Sequence, residues 1–143
     1  MRVLLDTDVI LDFILERDPY VEAAAELLHF NARERYQGFV SSITPINVFY
    51  IGRKSVGAAK ARQGIADLLA ALEVCPVTHS TLSDALNLPF TDYEDAVQHS
   101  SATANGLDAI ITRNVKDYKS AILPVFTPAE FLQHLKSQQK DQT

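Results

Sequence analysis

The sequence alternates short apolar runs with segments whose apolar residues recur at helical spacing. The apolar runs occupy residues 3–5, 39–40 and 109–111, and helical stripes lie between them, as in residues 20–36. Strands that alternate with helices form a parallel sheet, because right-handed crossovers place each helix on a face of that sheet. We therefore expect an α/β fold, a three-layer α/β/α sandwich with a central parallel sheet of four to five strands.

Several segments have the composition of helix starts. Thr44 and Pro45 resemble a cap followed by a first-turn proline, and residues 91–94 and 127–130 each have the form of a capping box. Gly57 lies between two helical stripes, which predicts a helical hairpin with this glycine in the link.

Length and composition indicate one globular domain. The chain has 143 residues, of which 47% are hydrophobic and 22% are charged. We assign residues 1–136 to the domain and residues 137–143 to a polar C-terminal tail. No apolar run approaches the ~20 residues that span a bilayer, and the chain starts with a strand-like segment, so we expect a cytoplasmic location. The formal charge of −5 means that contacts with nucleic acid must be local.

Three aspartates follow or adjoin predicted elements that end at the same edge of the sheet. Asp6 directly follows the first strand, Asp95 lies in the first turn of a later helix, and Asp117 follows the strand that ends at Thr112. Asp92 precedes Asp95 by three residues and so shares its helix face. Like charges gathered in this way repel each other unless a cation compensates them. Magnesium is the natural candidate, because it prefers oxygen ligands such as carboxylates.

Each aspartate also has a purely structural interpretation. Asp92 and Asp95 lie in a helical first turn, where the helix dipole favours acids whatever the function. Asp117 suits a turn in a solvated loop. Asp6 is harder to explain in this way, because a carboxylate after three apolar strand residues is costly to desolvate without a partner or an ion. The case for a site therefore depends most on Asp6.

Three segments carry a resemblance to a known family. They read LLDTDVIL at residues 4–11, DYEDAVQ at residues 92–98 and IITRNVKDY at residues 110–118. Together they resemble PIN-domain proteins, including VapC-type toxins, in order and spacing across nearly the whole chain. The resemblance implies a PIN-like, Rossmann-like α/β/α nuclease fold, a Mg²⁺ or Mn²⁺ cofactor, and cleavage of single-stranded RNA.

The resemblance also implies roles for individual residues. The catalytic and metal-binding acids would be Asp6, Asp95 and Asp117, with Asp92 as an auxiliary metal ligand. Thr112 and Asn114 would lie at the pocket wall. Asp8 adds an acid near the metal where the family often has asparagine, whereas Asp12 is expected to be structural.

Asn47 departs from the family pattern. Many members have a glutamate where this chain has Asn47, although some relatives resemble it in having asparagine. An amide oxygen can coordinate a metal, but it carries no charge, so cation binding should be weaker. Asp92 is a candidate for compensating the lost charge. The alternative interpretation of Asn47 is a local hydrogen bond at the helix start, since it lies three residues after Thr44.

Four basic residues are candidates for contacts with RNA phosphates: Arg113, Lys116, Arg53 and Lys54. Arg113 and Lys116 share a loop with Asp117, which favours them. Solvated surface charge is the competing interpretation of Arg53 and Lys54.

The resulting hypothesis is a metal-dependent endoribonuclease of single-stranded RNA. The resemblance further implies the toxin of a toxin–antitoxin pair, a homodimer, and a small antitoxin as partner. A catalytically weak or silent PIN module that binds RNA or a protein is the alternative, and Asn47 favours it. A second alternative is an aspartyl-phosphate-type phosphatase, because Asp6 and Asp8 follow an apolar strand at a spacing typical of its nucleophile and acid. No lysine is convincingly placed to hold the phosphate of such an enzyme.

Overall fold

The computed structural model describes residues 1–141, with side chains to residue 138. Within that range the strands are β1 (Arg2–Leu5), β2 (Gln37–Ser41), β3 (Glu73–Cys75), β4 (Ala109–Ile111) and β5 (Val125–Phe126). The helices are α1 (Thr7–Ile14), α2 (Val21–Ala32), α3 (Thr44–Val56), α4 (Ala58–Ala71), α5 (His79–Ala85), α6 (Tyr93–Ala104) and α7 (Pro128–Asp141), with a 3-10 helix at Val115–Tyr118.

The five strands form one parallel sheet in the order β3-β2-β1-β4-β5. The central strand β1 pairs with both neighbours, so that Val3 lies opposite Gly38 on one side and Ala109 on the other. The chain builds the sheet outward from β1 to β3 and then crosses to β4. This reversal of direction opens a crevice beyond the carboxyl ends of β1 and β4, where ligands bind in such sheets.

Helices cover both faces of the sheet and complete the predicted three-layer sandwich. Alternate side chains of a strand point to opposite faces. Val3 and Leu5 pack into a cluster with residues of α1, α2, α4 and α7. Leu4 and Ile110 pack into a separate cluster that includes Ala102 of α6. The predicted fold class is therefore confirmed.

The start of α6 differs from the capping box predicted at residues 91–94. The cap is Asp92, whose carboxylate accepts a hydrogen bond from the backbone N–H of Asp95 at 3.0 Å. A capping side chain bonds the amide two or three residues later, which suits Asp92 and leaves Thr91 one position too early. The first helical residue is consequently Tyr93.

Of the two other predicted helix starts, the one at Thr44 is wrong and the one at residues 127–130 is confirmed. Thr44 is the first residue of α3 rather than its cap, which is Ile43, and its buried hydroxyl bonds other side chains instead. The box at Thr127 and Glu130 is present, with reciprocal hydrogen bonds of 3.0 and 3.1 Å. Gly57 links α3 to α4 with a positive φ of 87°, as the predicted hairpin requires.

The C-terminal helix extends into the segment predicted to be a polar tail. Helix α7 continues through Ser137 to Asp141, whereas residues 142 and 143 lie outside the described part of the chain. Among the described residues, no helix combines the length and the apolar character needed to cross a membrane.

One ion pair fixes the loop after β4 against α1. The side chain of Asp12 is only 2% exposed, and its two oxygens accept hydrogen bonds from Arg113 Nε at 2.6 Å and Nη2 at 3.2 Å. The guanidinium also lies over the Tyr20 ring, 4.0 Å from its centroid. Asp12 is thus structural, as predicted, and holds the segment that leads to Asn114.

Replacing Asp12 with alanine should destabilise the fold, because the Arg113 charge would lose its buried partner. We expect a loss of about 2 kcal/mol in the free energy of unfolding, less than for a fully buried pair because Arg113 is itself partly exposed. Urea denaturation measures this difference. Lys136→Ala breaks the exposed pair with Glu26 and should cost less than about 1 kcal/mol. Equal losses in the two variants would contradict a stabilising role for the Asp12 pair.

Candidate active site

Asp6 lies at the crevice between β1 and β4, immediately beyond the last residue of β1. Its backbone N–H donates to the carbonyl of Ile111 at 2.9 Å and so continues the pairing of the two strands. Its carboxylate is buried, at 6% exposure for the residue, and accepts hydrogen bonds of 2.8 Å from Gln98 Nε2 and Thr112 Oγ1. These donors offset part of the desolvation cost of the charge.

The hydroxyl of Tyr118 lies between two carboxylates. It is 3.2 Å from Asp95 Oδ1 and 3.4 Å from Asp6 Oδ2, and it accepts a hydrogen bond from Gln98 Nε2 at 3.2 Å. Burial raises the pKa of Tyr118, so the hydroxyl keeps its proton. Since it has one hydrogen to donate, it satisfies only one of the two carboxylates at a time.

Asp95 is the half-buried acid of α6 that faces this hydroxyl. Burial raises its pKa to about 7, and the negative charges of Asp6 and Asp92 act in the same direction. The hydrogen bond from Tyr118 lowers the pKa in part. The position is therefore one where a carboxylate is short of positive charge.

Asp8 is a second acid with an elevated pKa. Burial and the charge of Asp6 raise its pKa to about 7, against a smaller opposing effect from Arg113. Its Oδ2 accepts a hydrogen bond from Asn114 Nδ2 at 3.0 Å. Its Oδ1 is buried and has no hydrogen-bond partner in the described part of the chain. A buried carboxylate oxygen without a donor is a position where a cation or water would be stabilised.

A second polar network joins α3 to α6. Asn47 Nδ2 donates to Glu94 Oε1 at 3.0 Å, and Thr7 Oγ1 lies 3.4 Å from the same oxygen. The Thr7 hydroxyl also shares a 2.9 Å hydrogen bond with Thr44, which in turn lies 3.3 Å from Ser41 Oγ. Burial raises the pKa of Glu94, whereas the bond from Asn47 lowers it.

The remaining acids expected at the site are more peripheral. Asp117 is exposed on the 3-10 helix, and its side chain makes no hydrogen bond among the described residues. Its charge nevertheless contributes to the raised pKa of Asp95. Asp92 also acts on Asp95, but its own carboxylate serves as the cap of α6. The structure thus brings Asp6 and Asp95 together and leaves Asp117 and Asp92 at the margin.

The basic candidates are placed unequally. Arg113 is engaged with Asp12 and Tyr20, whereas Lys116 is exposed on the same 3-10 helix as Asp117. Arg53 lies over the Tyr50 ring, and Lys54 follows it near the end of α3. At 1.5 Å per residue, nine helical residues separate Arg53 from Thr44 by roughly 14 Å. Among the described residues, no hydrogen bond or ion pair joins Arg53 or Lys54 to an acid of the site.

Three residues of these networks were not predicted as site residues: Gln98 and Tyr118, which contact the expected acids, and Glu94, which contacts Asn47. Gln98 follows Asp95 by three positions on one helix, a spacing that places both side chains on one face. Tyr118 directly follows Asp117, and only its burial and its contacts distinguish it from a packing residue. Glu94 had the appearance of an ordinary first-turn acid.

The acids suit a hard divalent cation, although they do not form a closed cage. Among the described side chains, no three Asp, Glu, His or Cys groups stand close enough to enclose a metal ion by themselves. Mg²⁺ usually keeps several waters and takes one or two carboxylates, so it does not need a cage. The raised pKa values of Asp8 and Asp95, with the unpartnered Asp8 oxygen, fit such an ion.

A cleft adjoins the site on the side of Asn114. Its volume is about 360 Å³, and Tyr20, Arg113 and Thr127 also line it. A larger cavity of about 670 Å³ includes Arg2 and Gln37, where β1 and β2 begin. That cavity is at the opposite edge of the sheet, so only the smaller cleft is relevant to the acids.

Solved structures with the same fold include toxin–antitoxin complexes. VapBC2 from Rickettsia felis, bound to a DNA fragment from its promoter, is 18% identical with a TM-score of 0.70, covering 87% of this chain and 97% of that one. A toxin–antitoxin complex from Klebsiella pneumoniae is 23% identical with a TM-score of 0.67, covering 88% and 97%. VapC20 from Mycobacterium tuberculosis, a sarcin-ricin loop cleaving toxin, is 14% identical with a TM-score of 0.61, covering 76% and 86%.

Sequence comparison gives the family directly. No curated protein matches the chain. A family model for the PIN domain, in contrast, matches residues 2–116, which is most of the sequence. The parallel sheet order and the acids at its carboxyl edge agree with this match, and the chain belongs to the PIN-domain family.

Proposed function

We propose that this chain is a metal-dependent endoribonuclease that hydrolyses phosphodiester bonds of single-stranded RNA. The observation that carries the proposal is the pair of carboxylates, Asp6 and Asp95, on either side of the Tyr118 hydroxyl at the carboxyl edge of a PIN-domain sheet. Family membership favours this activity over an aspartyl-phosphate-type phosphatase. The catalytic unit would comprise residues 1–136.

The side chains of the site have distinct roles in this proposal. Asp6 and Asp95 would hold Mg²⁺ or Mn²⁺, and Asp117 would approach from the 3-10 helix. Gln98 and Thr112 orient the Asp6 carboxylate through their hydrogen bonds. When bound, the ion would polarise the phosphodiester and compensate the negative charge of the reacting group.

The substrate side of the proposal depends on a few exposed groups. Lys116 is the basic side chain of the loop that remains available for a phosphate, because Arg113 is paired with Asp12. Asn114 borders both the Asp8 carboxylate and the adjoining cleft. With a formal charge of −5 on the chain, RNA binding would depend on this local surface and on the metal ion.

We also propose that the protein is the toxin of a toxin–antitoxin pair and acts in the cytoplasm. Two of the similar solved structures are toxin–antitoxin complexes, which supports a small antitoxin as partner. Large apolar side chains are exposed on the α3–α4 hairpin, including Ile46 at 58%, Tyr50 at 53% and Leu69 at 49%. Exposed apolar surface of this kind is commonly covered by a protein partner.

A second copy of the chain could also cover this apolar surface, and we propose that the protein is a homodimer. Light scattering of the purified chain should give twice the 15.8 kDa mass of the monomer. A monomer mass at all concentrations tested would contradict the homodimer.

Cleavage should require both the metal and the two central acids. The purified protein is incubated with structured and single-stranded RNAs in Mg²⁺, in Mn²⁺ and with chelator. We expect cleavage of single-stranded regions with either ion and none with chelator. The double variant Asp6→Asn/Asp95→Asn should lower the rate at least about a hundredfold, because it removes the charges that hold the ion.

The matched control is Asp67→Asn/Asp84→Asn, which removes the same charge from exposed positions on α4 and α5. It should cleave RNA at the wild-type rate. Undiminished cleavage in chelator would rule out metal dependence. If neither wild type nor control cleaves RNA or binds Mn²⁺, the chain is instead a catalytically silent module that binds RNA or a protein.

The stabilising effect of Mg²⁺ should depend on pH. The pKa values of Asp8 and Asp95 are raised to about 7, so the stability associated with their protonated forms is lost as the pH rises through about 7. Above that pH both carboxylates are charged, and a divalent ion then has most to compensate. With Mg²⁺ at about tenfold over its Kd, the Tm near pH 8 should rise by roughly 3–6 °C, and near pH 5.5 by much less.

The measurement is the difference in Tm with Mg²⁺ and with chelator at each pH. This difference is needed because burial lowers the pKa of His99, which destabilises the fold in acid independently of the metal. Asp95→Asn should reduce the effect of Mg²⁺ near pH 8. An equal rise in Tm at both pH values would contradict the assignment of Asp95 to the ion.

A further inference from the structure

Asn47 and Glu94 come from distant parts of the sequence and meet at the site. Asn47 lies in the first turn of α3 and Glu94 in the first turn of α6, yet Asn47 Nδ2 donates to Glu94 Oε1 at 3.0 Å. Asn47 is therefore not satisfied by a local bond at its own helix start. Its side-chain amide contacts an acid instead.

The Glu94 carboxylate is held from one side. The hydrogen bonds from Asn47 and from Thr7 reach the same oxygen, Oε1. The Thr7 hydroxyl is fixed in turn by Thr44, so side chains of α1 and α3 determine the position of this carboxylate. The other oxygen, Oε2, makes no hydrogen bond among the described residues, and a carboxylate in this state can take a further ligand.

Glu94 also adjoins the two central acids. It directly precedes Asp95 in the chain, and Thr7, whose hydroxyl lies 3.4 Å from Glu94 Oε1, directly follows Asp6. Asp92 is committed to the cap of α6 through the backbone of Asp95. Among the first-turn acids of α6, Glu94 is thus the one whose carboxylate turns toward Asn47 and Thr7.

The residue types at the two positions are complementary. A glutamate at position 47 would bring a second carboxylate close to Glu94, and like charges at such a distance repel. With an amide at position 47, the same contact is a charge-assisted hydrogen bond. The arrangement keeps one carboxylate in the pair and places it on α6 rather than on α3.

We propose that Glu94 supplies, as a ligand of the divalent cation, the carboxylate that Asn47 lacks, and that Asn47 is the positioning residue for it. The proposal deepens the metal-dependent nuclease function and rests on it. It replaces Asp92 as the residue that compensates for Asn47. The site then has the same number of carboxylates as one with a glutamate at position 47, because the acid lies on α6 and the amide on α3.

The test measures Mn²⁺ affinity by calorimetry on the whole chain, together with RNA cleavage. Glu94→Gln keeps the size and an acceptor oxygen for Asn47 but removes the charge, and it should weaken Mn²⁺ binding at least about tenfold. Asn47→Ala leaves the charge unpositioned and should weaken Mn²⁺ binding about tenfold. Glu22→Gln, at an exposed position on α2, is the matched control and should bind Mn²⁺ as wild type does.

The decisive variant is the exchange Asn47→Glu/Glu94→Gln. It returns the acid to α3 and places the amide on α6, so it should recover most of the Mn²⁺ affinity that Glu94→Gln loses. Circular dichroism confirms that each variant is folded, and Glu94→Asp provides a second substitution that keeps the charge while withdrawing it by one methylene.

Wild-type Mn²⁺ affinity in Glu94→Gln would overturn the proposal, as would failure of the exchange variant to bind more tightly than Glu94→Gln. If Glu94→Gln loses affinity and the exchange variant recovers it while no RNA is cleaved by wild type, the ligand assignment stands and the nuclease function fails. If wild type cleaves RNA with metal and Glu94→Gln binds Mn²⁺ unchanged, the reverse holds. Absence of Mn²⁺ binding by wild type would overturn both.

Discussion

A buried carboxylate at the centre of the sheet sets the main constraint on this molecule. Asp6 follows the middle strand, and its charge must be satisfied where little water reaches it. Its partners come from three other elements: Gln98 of α6, Thr112 after β4, and Tyr118 of the 3-10 helix. The requirement to solvate one charge therefore aligns the elements that form the site.

The surrounding charges are distributed in two separate arrangements. Asp12 is neutralised internally by Arg113, and this pair fixes the loop beyond β4 without supplying positive charge to Asp95. Around Asp6, in contrast, the partners of the acids are uncharged donors, and the single Tyr118 hydrogen can satisfy only one of two carboxylates at a time. A fold that keeps such an imbalance is less stable than it could be, which is typical of sites that bind an ion or carry out chemistry.

The sequence was sufficient to predict the layers of the fold and the convergence of Asp6 with Asp95, because the alternation of strands and helices and the ends of parallel strands follow from local patterns. It was insufficient for contacts that depend on side-chain direction. The sequence predicted a capping box over residues 91–94, whereas Asp92 is the cap of α6. The exact first residue of α6 decides which side chain reaches the free amides of the first turn. The contact between Asn47 and Glu94 joins two helices whose relative packing no local pattern specifies.

The sheet order also determines when the site can exist during synthesis. Asp6 leaves the ribosome early, but Thr112, which donates to it, lies 106 residues later in the chain. At ordinary elongation rates of about 5–20 residues per second, this separation corresponds to roughly 5–20 s. Until β4 emerges, β1 lacks one of its two neighbours and the Asp6 carboxylate stays hydrated. A nascent chain that ends before Thr112 lacks this donor to Asp6, so the acidic site is complete only when synthesis of the domain is nearly finished.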